Sequence, residues 1–189
     1  MKITLDKNNW TTIVTDIDLN TATKHDMDLL GCLAAYNTLV VVKGQQLSVE
    51  RGEQLAKMLG HTFDDVFGEK YQIMREHSHD HPFFVPGSIL THRVTAEKNA
   101  HGFPGVFYED DELVWHCNRI EQNPRRSVVC LYGARGTHGS ETWFTNHIHA
   151  YRDLDEELKQ QIKDLHVNYE QKQRDPRLLK YLRQAGNKG

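Results

Sequence analysis

Apolar residues in the N-terminal part of the chain recur at the spacings of short strands and of an amphipathic helix. Residues 3–5 and 11–14 are short runs that contain β-branched side chains, and each run predicts a strand. Residues 38–42 are β-branched almost throughout and too few for a helix, so they predict a buried strand. Residues 22–36 predict a helix, because their apolar side chains recur every three or four positions. The apolar face of that helix consists of Met27, Leu30, Leu33 and Ala34.

A second helix is predicted directly after Ser48. The serine hydroxyl can accept a hydrogen bond from the unpaired N–H groups of a first helical turn. Leu55, Met58 and Leu59 then recur at helical spacing and form an apolar face. Gly60 follows them, and because glycine commonly ends helices we expect this helix to stop there.

Beyond this helix, several short strand-like runs are separated by glycine and proline. These runs are residues 88–95, 106–108, 113–117, 128–132 and 141–145. Residues 61–87 precede them and are predicted to be mostly loop. The order of helix, apolar strand, helix and then several strands predicts an α+β fold whose sheet is mainly antiparallel.

A further amphipathic helix is predicted to begin at Asp153, which together with Glu156 resembles a capping box. Its apolar stripe consists of Leu154, Leu158, Ile162 and Leu165. Residues 171–189 form a basic C-terminal tail. We interpret the charge of this tail as a solvated surface rather than as a nucleic-acid patch.

Length and composition favour one domain with a substantial hydrophobic core. The chain has 189 residues, of which 38% are hydrophobic, and a formal net charge of −3. A charge this close to neutrality predicts neither a nucleic-acid partner nor an anionic membrane surface. Because no apolar run is long enough for a membrane span or a signal peptide, we expect a cytoplasmic protein. The three widely spaced cysteines, Cys32, Cys117 and Cys130, are expected to be reduced thiols.

Three stretches carry a resemblance to a known family. They are residues 39–60, residues 113–118 (Leu-Val-Trp-His-Cys-Asn) and residues 131–154, which contain Gly-Ser-Glu-Thr-Trp-Phe. They resemble the N-terminal part of the TauD/TfdA (taurine dioxygenase-like) Fe(II)/2-oxoglutarate-dependent dioxygenases. The resemblance implies a double-stranded β-helix, a jelly-roll-like fold, here incomplete and flanked by helices. It places the TauD/TfdA-like domain at residues 1–170, ahead of the tail.

The resemblance also implies a site. His116 corresponds to the first iron ligand, position 118 to the carboxylate ligand, and Thr142 to the threonine that binds a carboxylate of 2-oxoglutarate. Residues two apart on a strand share one face, which suits a pair of ligands to one metal. The implied reaction couples decarboxylation of 2-oxoglutarate to succinate with hydroxylation of a small-molecule substrate. No catalytic residue beyond the metal site is predicted.

Position 118 departs from the family because it holds asparagine. An amide oxygen is neutral and a weaker donor than a carboxylate, so Fe(II) affinity should fall. Three accounts remain open at this point. The site binds iron weakly and still works, Asn118 leaves a coordination position open as in related halogenases, or the site is inactive.

A second departure concerns the distal histidine and the 2-oxoglutarate-binding arginine of full-length relatives. Both are expected further along than Gly189, and His166, at the end of an amphipathic helix, is not a candidate. We therefore expect a second polypeptide or a homo-oligomer to complete the sheet, or the chain to be a fragment. The alternative to a dioxygenase is a catalytically inactive, oxygenase-derived binding or assembly protein.

Other polar and aromatic groups have simpler interpretations. His77, His79 and His81 alternate and could bind Zn²⁺ or Ni²⁺ on a strand, but a solvated loop is favoured. His147 and His149 follow Asn146, a helix-cap or turn residue, and are interpreted as structural. The acidic run 109–112 is interpreted as a surface loop. The tryptophans are predicted to be core residues; they are Trp10, Trp115 and Trp143.

Overall fold

The computed structural model describes the N-terminal third of the chain continuously and the remainder in shorter stretches. The described residues are 1–60, 85, 88, 90–95, 97–98, 115–116, 128–134 and 141–166. The chain divides into two compact units, Met1–Asn146 and His147–Gly189. The predicted strand at 106–108, the His77–His81 cluster, the acidic run 109–112 and the basic tail lie outside the described residues.

A three-stranded sheet forms the base of the first unit. Its strands are β1 (Lys2–Leu5), β2 (Thr11–Thr15) and β3 (Leu39–Val42), in that spatial order. β1 and β2 are antiparallel, with Ile3 opposite Val14, whereas β2 and β3 are parallel. The predicted mainly antiparallel sheet is therefore mixed in the described part of the chain. The reason is that a helix joins β2 to β3, and such a crossover returns the chain in the same direction.

The helix between β2 and β3 is α1, Lys24–Asn37, as predicted from the apolar spacing of residues 22–36. It begins at a capping box, in which the Thr23 hydroxyl accepts from the N–H of Asp26 at 3.3 Å. The Asp26 carboxylate accepts in return from the Thr23 N–H at 2.8 Å. Two N–H groups at the helix start are thus satisfied by side chains.

The capping box should make helix α1 sensitive to acid. The hydrogen bond from the Thr23 backbone, and then that from its side chain, hold the pKa of Asp26 below its ordinary value. A lowered folded-state pKa adds stability that is complete above the unfolded pKa of about 3.9 and disappears as pH falls through the folded value. We expect Asp26→Asn to be less stable than the natural chain at pH 7, with the difference shrinking as pH falls through the lowered pKa of Asp26.

Urea unfolding followed by circular dichroism between pH 7 and pH 2.5 measures this difference. Asp28→Asn is the matched control, because it removes the same charge from an exposed ion pair with Lys24 on the same helix. Exposed pairs contribute little to stability, so Asp28→Asn should cost less than Asp26→Asn at pH 7. A constant difference between Asp26→Asn and the natural chain at every pH would contradict the capping role.

The second helix, α2, covers Val49–Leu59 and is likewise confirmed. The Ser48 hydroxyl accepts from the N–H of Arg51 at 3.1 Å, and Gly60 follows the last turn. α2 packs on α1. At their contact a Cβ on Gly31 would lie 3.3 Å from Leu59 Cδ2, so the absence of a side chain at Gly31 allows the close approach.

The core of the first unit lies between the sheet and these two helices. Its buried residues are Val14, Leu19, Ala22, Met27, Leu30 and Leu55. Met58 and Leu59, predicted to face inward, pack against this cluster while remaining partly exposed. The prediction of a buried β3 is only half right, since Val41 is 36% exposed. Val40 and Val42 pack against the core cluster, whereas the side chain of Val41 is not among those that do.

Several predicted strands are absent where their residues are described. Ser88 and residues 90–95, 115–116, 128–132 and 141–145 belong to no regular strand. The prediction that the tryptophans are core residues is also wrong for Trp115 and Trp143, which are 66% and 77% exposed. Apolar runs form strands only where a neighbouring strand supplies a continuous ladder of hydrogen bonds, and among the described residues of these runs the pairing is limited to an isolated bridge at His92.

In the second unit, the described residues 147–166 form two short helices, α3 (His147–Arg152) and α4 (Glu156–Ile162). The predicted cap at Asp153 is wrong, since the Asp155 carboxylate accepts from the N–H of Leu158 at 2.7 Å and caps α4. Asp153 instead follows α3, and its N–H donates to the carbonyl of His149. Neither helix has a buried residue, so the predicted apolar stripe is not core. In the part of the chain that the structure describes, no helix is long and apolar enough to cross a membrane.

Candidate functional site

His116 lies outside the helices and the sheet. Both it and the neighbouring Trp115 are exposed to solvent. An imidazole that solvent can reach is accessible to a transition metal as a nitrogen ligand. Asn118, the second predicted ligand, and Cys117 between them lie outside the described residues. The geometry of the His-x-Asn pair therefore remains a prediction.

Thr142, the predicted 2-oxoglutarate contact, lies in an exposed stretch. Residues 141–145 are all exposed and belong to neither a helix nor a strand. The stretch ends at Asn146, which is only 7% exposed. The Asn146 side-chain Nδ2 donates to the hydroxyl of Thr38 at 3.0 Å. This hydrogen bond ties the residues around Thr142 to the junction between α1 and β3.

The junction that receives this hydrogen bond has a defined geometry. Thr38 has φ 72°, in the left-handed region that β-branched residues rarely adopt. Its N–H donates to the carbonyl of Ala34 at 2.9 Å, which closes the end of α1. The preceding Asn37 side chain donates to the hydroxyl of Thr12 at 2.7 Å, and Thr12 is buried in β2. The Thr38 hydroxyl is therefore presented by elements that are fixed on both sides.

A second stretch, residues 128–134, is attached to the loop after β3. The Tyr132 hydroxyl accepts from the N–H of Leu47 at 3.0 Å. That loop is itself held by Gln45, whose side chain accepts from the N–H of Leu19 and donates to the carbonyl of Ile17, both at 2.8 Å. Tyr132 thus contacts a loop that is secured to the N-terminal core.

A third attachment joins helix α2 to the region of residue 90. The Glu53 carboxylate accepts hydrogen bonds from the hydroxyls of Ser88 and Thr91, the latter at 3.0 Å. Ser88 is buried, and its oxygen also accepts from the N–H groups of Leu90 and Thr91. These contacts organise a local turn at the start of the stretch that was predicted to be a strand.

The three attachment residues, Glu53, Tyr132 and Asn146, were not predicted as functional from the sequence. Asn146 could be recognised from sequence as a structural residue, since an asparagine before His147 indicates a cap or a turn. Glu53 and Tyr132 could not, because their partners lie 35 or more positions away in the chain. Contacts of that range follow from the fold and not from local spacing.

The side chains of His116 and Thr142 are compatible with part of an iron site. An imidazole at His116 is a ligand that Fe(II) accepts, and a hydroxyl at Thr142 is a donor for a carboxylate. Among the described residues no group of three His, Cys, Asp or Glu side chains could hold a metal ion. Position 118 and the histidines at 77, 79 and 81 lie outside the described residues. Cys32 and Cys130 are free, as expected for reduced thiols.

Comparison with known proteins gives one positive result. Residues 5–186 match the family described as taurine catabolism dioxygenase TauD, TfdA family. No curated protein and no solved structure matches the chain. The match covers nearly every position, including the three stretches that carried the resemblance and both His116 and Thr142. The chain therefore belongs to the TauD/TfdA family.

Proposed function

We propose that this chain is an Fe(II)/2-oxoglutarate-dependent dioxygenase of the hydroxylase type, or a portion of one. The observation that carries the proposal is the family match over residues 5–186, a range that includes His116, position 118 and Thr142. Members of this family use Fe(II) and 2-oxoglutarate. In this proposal the fold is completed as a double-stranded β-helix, with the TauD/TfdA-like domain at residues 1–170 and the tail at 171–189.

Each predicted site residue has one task. His116 supplies an imidazole nitrogen to Fe(II), and Asn118 supplies an amide oxygen or occupies the place of the absent carboxylate. The Thr142 hydroxyl donates a hydrogen bond to a carboxylate of 2-oxoglutarate and so orients it. When bound, Fe(II) and 2-oxoglutarate provide the oxidising chemistry that converts O₂ and 2-oxoglutarate into succinate, CO₂ and a hydroxylated small-molecule substrate.

The exposure of His116 and Thr142 supports a site that ligands can reach. Neither side chain is covered by the N-terminal core, so binding need not displace packed residues. The attachments at Tyr132 and Asn146 limit the movement of the neighbouring stretches in the absence of regular strands.

The proposal is tested by anaerobic titration of the chain with Fe(II) and 2-oxoglutarate. We expect the weak visible charge-transfer band of the Fe(II)–2-oxoglutarate chelate to appear on the natural chain. His116→Ala should abolish the band at the same concentrations, because it removes the only strong predicted protein ligand. Succinate release in air, with and without added candidate substrates, then measures turnover. A band of equal intensity in His116→Ala would assign the chelate to another site.

The second candidate is an inactive binding or assembly protein derived from an oxygenase. Asn118 favours it, because an amide replaces the ligand that contributes charge to the iron site. Among the described residues β1 is an outer strand that is exposed along its whole length, and it could pair with a strand of a second polypeptide or of a second copy. Sedimentation of the chain distinguishes monomer from homo-oligomer. Succinate release from the chain would rule this candidate out.

A further inference from the structure

We propose that Asn146 is a positioning residue for the cosubstrate: its hydrogen bond to Thr38 sets the location of Thr142. This inference rests on the proposed function, since it assigns a role in 2-oxoglutarate binding. Thr142 would touch the carboxylate, whereas Asn146 would act only through the backbone that joins the two residues.

The first argument is the contrast in burial along the stretch. Residues 141–145 are exposed, and Asn146 is the first buried position after Thr142. Four extended residues span at most about 13 Å, so the anchored asparagine restricts Thr142 to a limited volume. A threonine in an exposed stretch without an anchor would sample many positions, and ordering it would cost binding free energy.

The second argument is the rigidity of the acceptor. Thr38 lies where α1 ends and β3 begins, and its N–H donates a hydrogen bond to the carbonyl of Ala34. A β-branched residue at φ 72° persists only where the surrounding structure determines it, and such strain costs about 1–3 kcal/mol. The hydroxyl of Thr38 therefore has a defined position, and its hydrogen bond fixes the position of the Asn146 side-chain amide as well.

A purely local role for Asn146 makes different predictions. Asn146 directly precedes α3, where an asparagine could act as a helix cap. Serine is an equally good cap but is too short to reach Thr38 from the same backbone. Asn146→Ser therefore keeps the capping oxygen and removes the hydrogen bond to Thr38. On the other side of the bond, Thr38→Val removes the acceptor while retaining a β-branched side chain, and Thr38→Ser retains the acceptor.

The effect of the Asn146–Thr38 hydrogen bond on the mobility of the Thr142 stretch can be measured without any ligand. In a background with Trp10→Phe and Trp115→Phe, the remaining Trp143 is adjacent to Thr142 and strongly exposed. We expect Asn146→Ser and Thr38→Val to lower the residual fluorescence anisotropy of Trp143 equally, with no further fall in the double variant. Thr38→Ser should leave it unchanged. Tyr132→Phe is the matched control, because it removes a hydrogen bond of equal length from the other stretch.

The cosubstrate role is read from the Fe(II)-loaded chain. We expect Asn146→Ser and Thr38→Val each to weaken 2-oxoglutarate binding about tenfold, the equivalent of one net hydrogen bond. Fe(II) affinity measured without 2-oxoglutarate should change less than twofold, and Thr38→Ser should restore normal 2-oxoglutarate affinity. Circular dichroism establishes that each variant is folded before titration.

The outcomes separate this inference from the proposed function. Unchanged Trp143 anisotropy in both variants would overturn the anchor, and altered anisotropy with unchanged 2-oxoglutarate affinity would overturn the cosubstrate role. Equal loss of Fe(II) and 2-oxoglutarate affinity would identify a general structural defect instead. If the natural chain binds neither ligand, the proposed function fails and the cosubstrate role with it, while the anisotropy still decides whether Asn146 anchors the stretch.

Discussion

Asn118→Asp is expected to bind Fe(II) about ten- to thirtyfold more tightly than the natural chain, because it restores a negative charge beside a dication. Two unit charges at 4 Å interact by about 1 kcal/mol in water, and a dication doubles that value. A ten- to thirtyfold gain in affinity corresponds to about 1.4–2 kcal/mol. This is the gain expected where water screens the charges, and a less solvated site would gain more. Anaerobic Fe(II) titration at fixed pH, with and without 2-oxoglutarate, measures the gain.

The controls show whether position 118 acts as a ligand. Asn118→Leu has a similar volume and no donor atom, so it should bind Fe(II) more weakly than the natural chain if the amide oxygen coordinates. If Asn118→Leu and the natural chain bind equally, the amide is only a place-holder. Adding His116→Ala to Asn118→Asp should cancel the gain, because both residues act on one metal. Equal Fe(II) affinity in the natural chain and Asn118→Asp would contradict the assignment of position 118 to the site.

Chloride distinguishes the open accounts of Asn118 further. If the asparagine leaves a coordination position open, chloride should shift the charge-transfer band of the natural chain and should not shift that of Asn118→Asp. A weakly bound but working site gives a band that chloride leaves in place. An inactive site gives no band in the natural chain. If Asn118→Asp also gives none, the dioxygenase proposal fails for this chain.

Leu30→Ala should produce the largest loss of stability, about 2–5 kcal/mol of unfolding free energy. Leu30 is 6% exposed and lies in the core cluster between α1, α2 and the sheet. Truncation removes buried methyl groups and leaves a cavity, and both effects favour the unfolded state. Urea unfolding followed by circular dichroism gives the free energy by linear extrapolation.

The neighbouring Leu29 provides the control for this loss. Leu29 is 37% exposed on the same helix, so Leu29→Ala removes the same atoms from a site that stays in contact with water. The change should cost less than about 1 kcal/mol, since alanine also favours the helix. If both variants lost equal stability, α1 would not pack on the sheet through the face that carries Leu30.

The N-terminal elements could be predicted because their signals are local. Ser48 with Gly60, and the apolar spacing of residues 22–36, specify where helices begin, end and face. The cap at Asp153 was predicted wrongly for an equally local reason. Asp155 stands two positions later, is followed by two glutamates, and offers the better start for α4.

The candidate site divides in the same way. His116 and Thr142 could be named from sequence, because the family resemblance depends on residue type and spacing. The exposure of Trp115 and Trp143 could not be predicted, because the apolar character of a residue does not tell whether another element covers it. The hydrogen bond between Asn146 and Thr38 could not be predicted either, because the two positions are 108 apart in the chain.

The sequence by itself determined the family, the first two helices, the strands of the N-terminal sheet and the residue types at the candidate iron site. These depend on interactions within a few positions or on matched motifs, and both are written in the order of the residues. Only the tertiary structure decided the parallel pairing of β2 with β3, the burial of Ser88 and Asn146, and the attachment of the Thr142 stretch to Thr38. Such contacts form between distant segments once the core has brought them together, and no local pattern encodes them.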